Sequence, residues 1–213
     1  ETYETNVMGT ANLLEAVRKT VSVKAVLVIT TDKCYENKEW HWAYRENDRL
    51  GGHDPYSNSK ACTELIVDSY RKSFLKEKNI AVATARAGNV IGGGDWSKDR
   101  LIPDCLRSIK NKEKIIIRSP KAVRPWQHVL EPLAGYLNLA QRLYKEGQVW
   151  AEAWNFGPDE ASTICVEEIV KYLCCEFAAE YEIKVNDIMH EATLLKLDCA
   201  KAKTKLNWQP KLT

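Results

Sequence analysis

The segment Tyr56-Ser57-Asn58-Ser59-Lys60 puts a phenol and an ammonium one helical turn apart. Side chains at i and i+4 share a helix face, so both can reach one substrate. A free tyrosine titrates near pH ~10 and is a poor base at neutrality; lowering that by about 3 units takes roughly 4 kcal/mol. A unit positive charge about 4 Å away, at an effective dielectric of about 20, supplies a term of that size. The pair is suited to taking a proton from an alcohol. The same spacing also occurs in helices with no chemistry, so the flanking segments must decide.

Upstream, Lys24-Ala25-Val26-Leu27-Val28-Ile29 is a short apolar, β-branched run of the kind buried in a parallel sheet. It ends in Thr30-Thr31-Asp32-Lys33-Cys34-Tyr35, polar residues at the C-terminal end of a strand, where open α/β sheets place their ligands. A second run, Ile80-Ala81-Val82-Ala83-Thr84-Ala85, leads into Arg86-Ala87-Gly88-Asn89-Val90-Ile91-Gly92-Gly93-Gly94-Asp95-Trp96. The order predicts one βαβ unit, with both polar edges on the same side. The expected fold is α/β, a doubly wound, Rossmann-like parallel sheet with a smaller mixed α/β substrate domain.

Several elements must hold these edges. Apolar spacing at Val7, Ala11, Leu14 and Val17 predicts a helix over 3–19. A strand is expected at 24–30, and a helix over 55–77 with Asp54 as N-cap and Pro55 at its first position. Further strands are expected near 80–86, 114–118 and 153–157, and helices near 99–111, 130–145, 166–180 and 198–206. Residues 1–90 would complete the cofactor-binding part, and 91–213 would mainly bind substrate, with the two interleaved.

At these residues the chain resembles the extended short-chain dehydrogenase/reductase family, whose members include NAD-dependent sugar epimerases and dehydratases. The likeness spans residues 6–16, the lead-in Glu46-Asn47-Asp48-Arg49-Leu50-Gly51-Gly52-His53-Asp54-Pro55, and the Tyr56–Lys60 motif itself. Within that family, Gly92-Gly93-Gly94-Asp95-Trp96, Asp99-Arg100-Leu101-Ile102-Pro103-Asp104 and residues 123–132 resemble the CDP-sugar branch.

The resemblance implies roles. Tyr56 would take the sugar C4 hydroxyl proton while hydride leaves to NAD, and Thr31 would hydrogen-bond that hydroxyl or the Tyr oxygen. Lys60 would hold the nicotinamide ribose and depress the Tyr pKa, with Thr30 and Tyr56 also against NAD. Dehydratases of the family add an acid and a base after the Thr; here these are Asp32 and Lys33. Lys33, if neutral, would remove the C5 proton while Asp32 protonates the departing C6 hydroxyl, converting CDP-glucose to its 4-keto-6-deoxy product. A lysine base needs burial or a nearby cation. Alternatively Asp32 and Lys33 are a solvated pair in a loop.

Asn89 and Arg124 would anchor the substrate pyrophosphate, the guanidinium matching paired oxygens. Arg100 and Arg118 are further candidates or plain surface residues. Trp96 and Trp126 either approach the nucleotide or fill a core. Asn6 supports a proton relay in the wider family, or is an ordinary helix residue here. The competing readings are another nucleotide-sugar dehydratase, a 4-epimerase, or a non-catalytic binding fragment.

No glycine-rich fingerprint precedes the first strand and the chain opens at Glu1 inside a helix, so we expect a fragment lacking the N-terminal third of its enzyme. Composition is that of an ordinary globular chain, 45% hydrophobic and 28% charged over 213 residues. A net charge of +2 gives no argument for nucleic acid or membrane as a partner. No apolar stretch nears the roughly 20 residues of a membrane span. Seven cysteines show no metal-ligand spacing, and His41, His53, His128 and His190 no metal pattern, so a reduced, cytoplasmic protein without metal is expected. A homodimer or dimer of dimers would form through the 3–19 and 55–77 helices, using Leu65, Ile66, Tyr70 and Phe74.

Overall fold

The apolar run and the alanine-rich run pair as parallel strands in the computed structural model, which describes residues 1–159, 163–184 and 194–212. Strand β1 (Ala25–Ile29) pairs with β2 (Ala81–Ala87), and β2 pairs in parallel with β7 (Ala153–Phe156). Helix α1 (Gly9–Lys19) precedes β1, and α2 (Pro55–Tyr70) connects β1 to β2. Between β2 and β7 lie β3 (Val90–Ile91), α3 (Leu101–Asn111), β4 (Ile115–Ile117), β5 (Val123–Pro125), β6 (Gln127–His128) and α4 (Leu130–Glu146). After β7 come β8 (Thr163–Cys165), α5 (Val166–Phe177), β9 (Tyr181–Ile183) and α6 (Ala200–Leu206).

The period-two alternation of β2 sets the layers. Ala81, Ala83 and Ala85 join a core with Leu139 and Leu143 of α4, Trp154 and Phe156 of β7, and Trp208. Small side chains on that face let α4 lie close to the sheet, and Gly135 extends the effect: a Cβ there would overlap the Phe156 ring. Val82 points the other way, into a cluster with Leu14 and Val17 of α1, Val67 of α2, Leu75 and Ile80. A third cluster (Cys105, Ile115, Ile117 and Val170) joins α3, β4 and α5 away from the sheet.

Sequence periodicity located each long element to within a few residues. Asp54 caps α2, its Oδ1 accepting from the Ser57 amide at 3.0 Å, with Pro55 at the first position. Two details differ. The segments Glu4–Met8 and Arg71–Leu75 are π-helical turns at the start of the first helix and the end of α2. The short pairings β3–β6, β4–β9 and β5–β8 were not expected, since two- and three-residue strands carry no period.

Of the residues expected at a dimer face, Leu65 and Phe74 are exposed, whereas Ile66 and Tyr70 are half-buried and pack against the α1–α2 core. Among the described residues no helix is long and apolar enough to cross a membrane.

Candidate active site

The C-terminal end of β1 delivers Thr30, Thr31, Asp32 and Lys33, the last two in a single 3-10 turn capped by Thr31. The first turn of α2 faces it with Tyr56, and the next turn brings Lys60. Lys33 Nζ and Lys60 Nζ each lie 6.0 Å from the centroid of the Tyr56 ring, so two cations flank one phenol. Tyr56 remains 45% exposed and open to a substrate.

Asp32 is 2% exposed, and its Oδ1 accepts a hydrogen bond from the Thr31 hydroxyl at 2.9 Å. Burial pushes its carboxyl above the usual range; the Thr31 bond and the charges of Lys33 and Arg124 offset only part of that. Asp32 is thus biased toward the protonated form, as a general acid must be. Its room is narrow: a Cβ on Gly88, just past β2, would sit 3.0 Å from Asp32 Oδ2 and 3.0 Å from Pro125.

Burial and the Asp32 charge raise the phenol pKa, and the nearby Thr31 hydroxyl only partly opposes them. Burial lowers the pKa of the Lys60 ammonium beside the ring. Among the described residues that ammonium has no hydrogen-bonding partner, which leaves a half-buried cation with donors to offer a ligand. Lys33 is exposed.

Thr30 is 8% exposed, and its hydroxyl donates to Glu64 of α2. Asn89 follows Gly88, half-buried, with its carbonyl accepting from the Gln127 amide at 3.0 Å. Arg124 lies on β5, close enough for its charge to act on Asp32, with Nη1 donating to the Val123 carbonyl at 3.0 Å. Arg100 and Arg118 are exposed and paired with Asp95 and Asp99. Trp96 is 62% exposed, whereas the Trp126 indole donates to the Ile164 carbonyl at 3.2 Å. Asn6 Nδ2 donates to Ser59 Oγ at 2.9 Å, tying the first helix to α2 beside Lys60. His41, His53 and His128 are exposed, and His190 lies outside the described residues. Among the described residues no cluster could hold a metal ion.

Sequence reasoning missed the floor of the site. Glu64, one turn beyond Lys60, meets Arg86 of β2 in a two-pronged ion pair, 2.9 Å from Nε and 2.8 Å from Nη2, with both side chains 3% exposed. Burial would raise Glu64, but Arg86 and the Thr30 and Thr84 hydroxyls outweigh it and hold the carboxyl below its usual range. Removing one partner of such a pair costs about 3–5 kcal/mol, because the other charge stays buried. The visible signal was Arg86 itself, a charge inside an otherwise apolar strand, which demands a buried partner.

The GDP-mannose 4,6-dehydratase family profile matches residues 1–213. The chain is 53% identical over 218 residues to CDP-glucose 4,6-dehydratase of Salmonella typhimurium, covering 99% of this chain and 61% of that protein. It is 30% identical over 210 residues to the low-salt glycan biosynthesis protein Agl12 of Haloferax volcanii, covering 97% of this chain and 63% of that one. The chain therefore spans about three fifths of the length of these relatives. Its fold matches a dTDP-glucose 4,6-dehydratase from Streptomyces venezuelae solved with NAD bound, at a TM-score of 0.84 and 21% identity, over 99% of this chain and 62% of that one. A UDP-glucuronic acid 4-epimerase from Bacillus cereus, solved with UDP-glucuronic acid and NAD, matches at a TM-score of 0.84 and 20% identity, covering 99% and 64%. Together with the βαβ unit and its paired polar edges, these matches make the chain a member of the GDP-mannose 4,6-dehydratase family.

Proposed function

We propose that the full-length protein dehydrates CDP-glucose to CDP-4-dehydro-6-deoxyglucose. The observation that carries this is a buried Asp32 carboxyl, hydrogen-bonded by Thr31 at the end of β1 and facing the exposed Tyr56, in a chain 53% identical to a CDP-glucose 4,6-dehydratase. The residues present fit NAD: Lys60 keeps unpartnered donors for a ribose diol, one turn from the exposed Tyr56. When bound there, NAD would supply the hydride acceptor for oxidation at C4 and the hydride donor for reduction at C6.

Tyr56, as its phenolate, would take the C4 hydroxyl proton, with Lys33 and Lys60 flanking the ring to favour that charge and Thr31 orienting the hydroxyl. The resulting C4 ketone acidifies the C5 proton, which Lys33, if neutral, would remove. Asp32 protonates the departing C6 oxygen, so water leaves and a C5–C6 double bond forms. Proton return to C5 and hydride return to C6 complete the product without net redox change. Asn89 and Arg124 bind the pyrophosphate from the substrate side. Residues 1–90 form most of the cofactor side, and 91–213 mainly the sugar-nucleotide side, with α4 and β7 returning to the sheet. Exposed Leu65 on α2, Phe74 in the turn that follows it, and Met8 and Leu13 near the N-terminus support a homodimer or dimer of dimers. Substrate and cofactor of this kind place the protein in the cytoplasm.

The test is product analysis of the full-length protein with NAD and, in parallel, CDP-, dTDP- and UDP-glucose. A 4-keto-6-deoxy sugar formed preferentially from the CDP substrate is expected. Epimerisation at C4 without loss of water would overturn the dehydratase reading, and preference for another base would overturn the CDP assignment.

A further inference from the structure

The buried ion pair ties together the end of β1, α2 and β2, the elements that carry or adjoin Thr31, Tyr56, Lys60 and Asn89. Glu64 belongs to α2, the helix of Tyr56 and Lys60. Its carboxylate accepts from Thr30 at the end of β1, next to Thr31, and from Thr84 on β2 at 2.7 Å. Arg86, three residues before Asn89, fills the remaining acceptor sites and sends Nη1 to the Tyr35 hydroxyl at 2.8 Å and the Glu46 carbonyl at 3.0 Å. Tyr35 immediately follows the Asp32–Cys34 turn, and its hydroxyl donates to Asn155 of β7 at 2.8 Å. The Arg86 guanidinium also lies over the Tyr35 ring, 4.9 Å from its centroid.

Such a hub restrains position as well as adding stability. A guanidinium fork and a carboxylate with all acceptor sites filled have few alternative geometries. We infer that Glu64 and Arg86 are positioning residues for the reaction, holding the Tyr56–Lys60 helix in fixed register with the Thr31–Lys33 turn and the Asn89 segment. Neither touches substrate; both act through the residues they hold. The inference rests on the proposed dehydratase reading for its readout, though the network itself stands without it.

Lysine at position 86 would keep the charge but lose the fork, since one nitrogen cannot serve both Glu64 oxygens, Tyr35 and the Glu46 carbonyl. Arg86→Lys and Tyr35→Phe in the full-length protein form the test, with thermal melting, CDP-glucose KM and the single-turnover rate of nicotinamide reduction measured for each. For Arg86→Lys we expect that rate to fall between about 10- and 100-fold, the scale of a misplacement near 1 Å. KM should stay within a few fold, and the loss should persist well below the melting temperature. Tyr35→Phe leaves the ion pair intact and should show a smaller loss of the same kind; if Arg86→Lys does not fold, it decides alone. An unchanged rate, or a loss that disappears once the variant is assayed well below melting, would overturn the inference. Failure of the dehydratase reading would be seen separately, as wild-type protein that reduces no cofactor with CDP-glucose.

Discussion

Glu64 and Asp32 are both buried carboxylates beside the same helix and strand, and their surroundings differ in one respect. Glu64 receives two hydroxyls and a forked guanidinium, and its pKa is held down. Asp32 receives one hydroxyl and the Lys33 amide, with the Lys33 and Arg124 charges acting through space, and burial still pushes its pKa up. A fully answered charge stays ionised and fixes geometry; a partly answered one holds a proton that it can give away. On the proposed reading, the floor of the site serves rigidity and its mouth proton transfer.

The sharpest way to break that division is at the mouth. Tyr56→Phe removes the only proton acceptor assigned to C4, so nicotinamide reduction in a single turnover should fall by about 10²–10⁴-fold. Lys33→Ala should leave that first step intact while exchange of the C5 proton with deuterated solvent falls over the same range, letting reduced nicotinamide accumulate. Normal deuterium uptake and product formation in Lys33→Ala would remove Lys33 from the mechanism and reduce the site to a generic sugar-nucleotide oxidoreductase.

Much of the mouth was legible in the sequence because its signals are local. Tyr56 and Lys60 are one turn apart on a helix that Asp54 and Pro55 begin, and Thr31, Asp32 and Lys33 directly follow a β-branched strand. The floor was not, because Glu64 and Arg86 are 22 positions apart and meet only when α2 lies across β2. The stack of Tyr35, Tyr44 and Trp40 behind them, with centroids 5.1 and 5.4 Å apart, comes from a loop with no period. Local spacing also misjudged Ile66 and Tyr70, since a helix buried on one face and exposed on another gives no sign of which apolar residues face the core. The same limit applies to Tyr56: its pKa depends on burial and on Asp32, a charge that i+4 spacing does not include.

Asp32→Asn sharpens the contrast through stability. A folded-state pKa above the unfolded value means that the native protein keeps a proton which the unfolded chain releases above about pH 4. Stability therefore falls as pH rises from that value through the raised one, and remains lower beyond it. Asparagine is neutral and still accepts from Thr31, so the variant should match wild type near pH 4 and melt a few degrees higher at pH 7, while eliminating water far more slowly. Urea denaturation at both pH values is the measurement. Equal stabilities at pH 7 would mean that Asp32 is better answered than its contacts indicate. The corresponding Glu64→Gln change should destabilise, because it strands Arg86.

The smallest effect should come from Gly88→Ala, and it asks how finely the acid must be placed. The new methyl would lie 3.0 Å from both Asp32 Oδ2 and a carbon of Pro125, closer than side-chain carbons normally approach, so one neighbour must yield by a few tenths of an ångström. Pro125 is buried and held in the β5–β8 pairing, whereas the Asp32 side chain is held by the Thr31 hydroxyl and the neighbouring Lys33 amide alone, so the carboxyl is the group expected to move. Elimination should then slow by up to about tenfold, with C4 oxidation unaffected because Tyr56, Lys60 and the Glu64–Arg86 floor are untouched. Combining the change with Asp32→Asn distinguishes this from a general disturbance: once the acid is gone, Gly88→Ala should cost nothing further in elimination. If Gly88→Ala slows oxidation and elimination equally, the gap beside Asp32 serves packing of the whole site and not the placement of its acid.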